Sequence, residues 1–243
     1  MAFIAGYLAL GLFAGVIAGL LGVGGGLVMV PFLTWAFLEQ GFPAVYNIHM
    51  ALGTSLAIIV LTSLSSVRAH HAHGAVRWAA VRRIAPGIVL GTLVGAFAAA
   101  HLPDRGLKWF FTVFMVYAAT QMLLGFKPKP HRDLPGWPGM TAAGVVIGLV
   151  SSWVGIGGGT LSVPFLTWCN IRFQEAIGTS AAIGFPIALS GAIGFALSGL
   201  GAPGLPDDSL GFVYLPALLA VAAGSVLSAP WGAALTHRLP VAR

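Results

Sequence analysis

The sequence predicts an all-α fold, a polytopic membrane helix bundle built from two inverted-topology repeats, each opened by a Gly-rich broken or re-entrant hairpin. Three observations carry this. Only 7% of the residues are charged and 58% are hydrophobic, whereas a soluble domain carries about 25% charged residues. So few charges cannot cover a water-facing surface. Apolar runs long enough to cross a bilayer at ~1.5 Å per residue recur between short polar connectors. Finally, Gly22-Val-Gly-Gly-Gly-Leu-Val-Met-Val-Pro-Phe-Leu-Thr-Trp35 returns 133 residues later as Gly155-Ile-Gly-Gly-Gly-Thr-Leu-Ser-Val-Pro-Phe-Leu-Thr-Trp168. A match of this length at identical internal spacing marks an internal duplication.

Taken in order, residues 3–21 form the first apolar run, and the glycines at 22–26 break it. A shorter run over 27–38 contains Pro31, which is expected to end or kink it. A run of that length reaches only ~18 Å against a hydrocarbon core near ~30 Å. The pair therefore reads either as a re-entrant hairpin or as a helix continuing through Phe42. Spans over 48–66, 84–101 and 109–126 complete the first half. A basic loop from Arg68 to Arg83 and the tight turn Leu102-Pro-Asp-Arg-Gly106 separate them. The second half repeats the plan with runs over 140–154, 160–169, 176–199 and 211–236, and Gly178-Thr-Ser180 matches Gly53-Thr-Ser55 at an offset of 125.

The division is thus 1–126 for the first repeat, 127–139 for a basic, proline-rich cytoplasmic linker, and 140–243 for the second repeat. The counterpart of the 109–126 span is missing from the second half, so the chain is either naturally short or a fragment. A homo-oligomer or a partner subunit would complete the last span.

Charge orients the bundle. With each glycine element counted as a there-and-back pair, the 67–83 loop, the 127–139 linker, the 170–175 connector and the C-terminus share one side and hold ten of the twelve Lys and Arg. The other side holds Arg105 and Lys108 with four of the six acids, Glu39, Asp104, Asp207 and Asp208. By the positive-inside rule the first side is cytoplasmic and the N-terminus lies outside. The first half then crosses an odd number of times, and the halves enter the membrane from opposite faces, as in secondary transporters.

Consecutive glycines let backbone amides converge, and ahead of a helix those amides favour an anion. The same glycines also permit close helix crossing with no ligand at all. Both readings stand for Gly22, Gly24, Gly25, Gly26, Gly155, Gly157, Gly158 and Gly159. Thr34, Thr54, Ser55, Thr167, Thr179 and Ser180 are hydroxyls that either line a polar path or bond back to their own helix. His49, near a helix start, is a candidate for proton coupling.

Other chemistries fit poorly. Both glycine strings lack the last glycine of a dinucleotide fingerprint, and neither continues into Lys-Ser/Thr. His70, His71 and His73 sit in the basic stretch with no cysteine or carboxylate beside them, a weak metal set. The single cysteine, Cys169, reads as a small apolar packer. All six acids lie in loops or at span ends, which disfavours cation transport and intramembrane aspartyl proteolysis. A membrane-embedded enzyme lacks a recognisable dyad. A non-transporting assembly subunit would need more docking surface than these short loops supply. No cofactor, metal or nucleic acid is expected. The partners are the lipid bilayer and a small anionic substrate.

The doubled Gly-Val/Ile-Gly-Gly-Gly-x4-Pro element, each copy followed by a Gly-Thr-Ser helix, resembles the TauE/SafE sulfite-exporter family, over about residues 6 to 240. The resemblance implies a bacterial inner-membrane permease, working by alternating access on organosulfur anions such as sulfite, sulfoacetate or other sulfonates. The family's motif falls on Gly22, Gly24, Gly25, Gly26 and Pro31, and on Gly155, Gly157, Gly158, Gly159 and Pro164. These, with Thr54, Ser55, Thr179 and Ser180, form the expected substrate-binding set. The missing last span is the departure from the family pattern.

Overall fold

The computed structural model describes residues 2–22, 24–124 and 133–238. Residue 23 of the first glycine turn, residues 125–132 of the expected linker and residues 239–243 lie outside them. Helices α1 (Ala2–Leu21), α2 (Gly26–Glu39), α3 (Asn47–Ala72), α4 (Trp78–Ala100) and α5 (Asp104–Leu123) come from the first half. Helices α6 (Trp137–Val154), α7 (Gly159–Trp168), α8 (Phe173–Ser198) and α9 (Leu215–Arg238) come from the second. A minimal antiparallel pair, β1 (Ser209–Leu210) and β2 (Val213–Tyr214), precedes α9. This pair was not legible as strands, because it is two residues per strand inside a run that reads as apolar.

Among the described residues six helices are long and apolar enough to cross a membrane: α1, α3, α4, α6, α8 and α9. The helix α5 is not among them, although it has 20 residues; Asp104, Arg105 and Lys108 occupy its first two turns. Large apolar side chains such as Phe13, Leu90, Val113, Leu219 and Trp231 point outward, as a lipid-facing shell requires.

The packing follows one rule applied twice. The helix α1 lies along α9, and α4 lies along α6. Both pairs run parallel, since Gly11 meets Val221 while Gly19 meets Ala229, and Gly87 meets Thr141 while Gly95 meets Leu149. Between them, α3 and α8 cross antiparallel, with Gly53 against Phe195 and Leu56 against Gly191. Exchanging α1 with α6, α2 with α7, α3 with α8 and α4 with α9 carries α1–α9 onto α4–α6, α4–α8 onto α3–α9 and α2–α3 onto α7–α8. Among the described residues α5 has no equivalent.

Glycine explains the two parallel pairs. In lipid, apolar burial adds little between helices, and association relies on close van der Waals contact through small residues one turn apart. Gly11, Gly15 and Gly19 of α1 face Gly224, Ser228 and Gly232 of α9. Gly87, Gly91 and Gly95 of α4 face Gly144, Gly148 and Ser152 of α6. A methyl added at Gly15 would strike Ser228 Oγ, and one at Gly91 would strike Val145 O.

Three expectations need correction. The basic loop of 68–83 is mostly helix: α3 continues to Ala72 and α4 begins at Trp78, leaving only His73–Arg77 between them. The cause is His70, fully buried, whose Nε2 lies 3.0 Å from Gly19 O of α1 and keeps the helix packed inward. Pro31 and Pro164 do not end their segments either, for both sit inside α2 and α7. Each proline is the sixth residue of its helix, where it removes one backbone hydrogen bond, and the helix continues past it. The predicted span 211–236 starts late, at Leu215, because the β pair uses its first residues.

Candidate substrate path at the meeting of the glycine turns

The two glycine turns reverse the chain in the interior. Gly25 and Gly158 precede α2 and α7 with φ of 79° and 77°, a left-handed conformation in which glycine is nearly unstrained. The first places the start of α2 beside Ala14, midway along α1, and the second places the start of α7 beside Ile147, midway along α6. Ala14 and Ile147 are themselves 133 residues apart. The end of α2 returns toward the start of α1, where Gln40 Nε2 donates to the Tyr7 hydroxyl at 2.5 Å. At 14 and 10 residues, the two helices are ~21 and ~15 Å long, against a hydrocarbon core near ~30 Å. Both helices therefore start beside the middle of a long helix, and the first amides of a helix lack intrahelical acceptors.

There the turns touch. A Cβ built on Gly26 would collide with Gly155 O, and it would lie 2.9 Å from Ile156 Cα. One built on Gly24 would lie 3.2 Å from Gly157 Cα. Each Gly-Thr-Ser triplet then reaches across to the opposite half in the same way. Ser55 Oγ donates to Gly155 O at 2.8 Å, and Ser180 Oγ donates to Gly22 O at 3.1 Å. The Tyr214 amide donates to Thr54 Oγ1 at 2.9 Å, and the Arg77 amide donates to Thr179 Oγ1 at 3.0 Å. A Cβ on Gly53 would lie 2.6 Å from Phe212 O, and one on Gly178 would lie 2.6 Å from Ala75 O. Back-bonding to their own helix does not describe Thr54, Ser55, Thr179 and Ser180. Each bonds backbone of the other repeat. Thr34 and Thr167 do back-bond, to Val30 O at 2.8 Å and Val163 O at 2.9 Å.

The two ends of this seam close differently. Next to Thr179, the Arg77 guanidinium holds Glu175 Oε2 through Nε at 3.0 Å and Nη2 at 2.8 Å. Next to Thr54, Tyr214 packs edge-on to Phe37 and Phe42 at ring distances of 5.6 and 4.9 Å. Burial there holds the Tyr214 phenol above its ordinary range, and the charge of Asp208 adds to the rise.

A small cavity opens beside the first turn. From α3 it takes Ile59, Thr62, Ser63 and Ser66, and from the turn Gly22 and Gly24. Ala18, Ala181 and Gly184 close it. No charged side chain lines it, and it has room for about one water molecule. Of the expected site residues only Gly22 and Gly24 line this space. Thr62, Ser63 and Ser66 were missed by the sequence reading. The signal was present: at the 125-residue offset their counterparts are Ile187, Ala188 and Gly191, so the hydroxyls distinguish one copy from the other.

The histidines take separate positions. His49 Nε2 lies 3.1 Å from Ala99 O and 3.2 Å from Leu102 O. A nitrogen facing two carbonyls carries the proton, so His49 ties the start of α3 to the end of α4. His70 turns toward α1, whereas His71 Nδ1 accepts from Trp78 Nε1 at 3.2 Å. The basic stretch therefore does not bring its histidines together.

Short helices that start at buried glycine turns, set among apolar helices long enough to cross a membrane, mark a multi-pass membrane protein. The chain belongs to the sulfite exporter TauE/SafE family, whose model matches residues 7–243. It is 40% identical to a probable membrane transporter protein of Haemophilus influenzae, over 96% of this chain and 89% of that one. A probable membrane transporter protein of Bacillus subtilis is 31% identical over 64% of each chain. One of Methanocaldococcus jannaschii is 24% identical over 94% of this chain and 85% of its own. No solved structure matches.

Proposed function

We propose that this protein is a secondary permease for small anions, with sulfite, sulfonates and related organosulfur anions as its substrates. It works by alternating access between two inverted repeats, residues 1–126 and 140–243, joined by a cytoplasmic linker. The carrying observation is the reciprocal seam: each repeat's Gly-Thr-Ser triplet grips the other's glycine turn, while corresponding helices run in opposite directions. Such a seam can open at one end while staying closed at the other, as rocking of repeats about a central site requires.

An anion fits the electrostatics of the centre. Two helix N-termini converge there, and every described acid lies in a loop or at a helix end. The positive-inside count places the N-terminus outside and the last described helix end in the cytoplasm of a bacterial inner membrane. In that arrangement α5 crosses as the fifth segment of the first repeat. Gly22, Gly24 to Gly26 and Gly155 with Gly157 to Gly159 are then the hinge and lining of the path.

Flux into reconstituted vesicles tests the reading. Labelled sulfite and sulfoacetate should enter protein-containing vesicles faster than empty ones, and labelled choline should not. Choline entry, or equal anion entry with and without protein, would contradict it.

A further inference from the structure

We propose that the cavity at Thr62, Ser63 and Ser66 is the oxyanion subsite of the transport path. This rests on the transport reading above and adds to it a position, a donor and an asymmetry that the glycine motif does not contain. Ser66 is 3% exposed, and its hydroxyl has no hydrogen-bond partner among the described residues. Its neighbours are already engaged. Thr62 Oγ1 lies 3.1 Å from Ile58 O and 2.6 Å from Ser225 Oγ, and Ser63 Oγ donates to Val60 O at 3.0 Å. Ser66 thus holds a free proton in a space whose other wall is the backbone of Gly22 and Gly24. A buried hydroxyl without a partner is unfavourable, so an acceptor is expected there.

The fold does not create this space by itself. Packing is repeated in both halves, yet the equivalent position on α8 is filled. Ile187 Cδ1 reaches over Gly158, and Leu56 Cδ1 lies 2.7 Å from where a Cβ on Gly191 would stand. One repeat therefore keeps three hydroxyls and room on its central helix, while the other fills that place with Ile187 and Leu56 and sets one buried hydroxyl, Ser151, on the neighbouring helix. The lining is neutral, with no carboxylate to hold a cation and no basic group to trap an anion. Neutral donors suit a ligand that must leave as readily as it binds. In this conformation the space has room for about one water, so the oxyanion enters only when the halves part and the subsite widens.

The test uses the full chain in vesicles, with Cys169→Ala as parent, or the native Cys169 with its own labelling subtracted if that parent does not assemble. Ser66→Cys and, as control, Ser65→Cys are labelled with N-ethylmaleimide. Ser65 Oγ donates to Val226 O at 2.8 Å and does not line the cavity. Sulfate or sulfoacetate at about four times its Kd should slow labelling of Ser66→Cys about fivefold by occupancy and leave Ser65→Cys unchanged. Adding Thr62→Ile with Ser63→Ala, which copies Ile187 and Ala188, should remove that protection. No slowing, equal slowing by choline, or no labelling of Ser66→Cys would overturn the subsite. Flux of the parent is measured in parallel. Protection without flux keeps the subsite and ends the transport reading, whereas flux without protection does the reverse.

Discussion

Gly26→Val should abolish anion flux and destabilise the folded protein. Gly26 has ordinary helical backbone, so the effect does not come from its φ. It comes from contact: the added Cβ runs into Gly155 O and stands 2.9 Å from Ile156 Cα. Backbone cannot turn aside as a flexible side chain can, so the cost falls at or above the ~3 kcal/mol upper range of ordinary overpacking. Each ~1.4 kcal/mol is tenfold, so the closed seam loses about a hundredfold in population. Gly41→Val is the matched control, since nothing lies within 4 Å of that Cβ, although its φ of 74° adds local strain. Thermal unfolding in detergent and vesicle flux, read together, check the pair. Native flux in Gly26→Val would remove the close contact from the account.

The second large effect is expected at the parallel helix pairs. Gly91→Val should separate α4 from α6, because its Cβ would meet Val145 O, and Val145 Cα and C would lie 2.7 and 2.8 Å away. Gly15→Val should do the same to α1 and α9 through Ser228 Oγ and the Ser225 backbone. With little apolar driving force between helices in lipid, lost van der Waals contact has no substitute, and side chains cannot repack around a displaced backbone. Each variant should lower the yield of folded protein and its melting temperature. The double variant should fail to assemble. Melting curves of purified protein in one detergent measure this, and wild-type curves for both singles would contradict the packing argument.

Much of the architecture was legible because it rests on local pattern. Apolar length gave the spans, and the 133-residue repeat gave two copies of one plan. The short run after each glycine string hinted at half-helices, but only the fold shows that they start beside Ala14 and Ile147. What the sequence could not show was long-range. The partners of Ser55 and Ser180 lie 100 and 158 residues away, and no periodicity encodes them. His70 read as part of a loop because its neighbours are basic, whereas in the fold it is buried with Nε2 3.0 Å from Gly19 O. The hydroxyls at 62, 63 and 66 were hidden by attention to what the copies share. They stand out in what the copies do not share.

For transport, the two halves must part along the seam between them. Arg77 and Glu175 meet across that seam at 2.8 Å on an exposed edge, where the ion pair itself contributes little. Arg77→Cys with Glu175→Cys, joined by a short reducible cross-linker, should stop anion flux while leaving the unfolding temperature at or above that of the uncross-linked protein. Reductant should restore flux. Full flux through the cross-linked protein would contradict the claim.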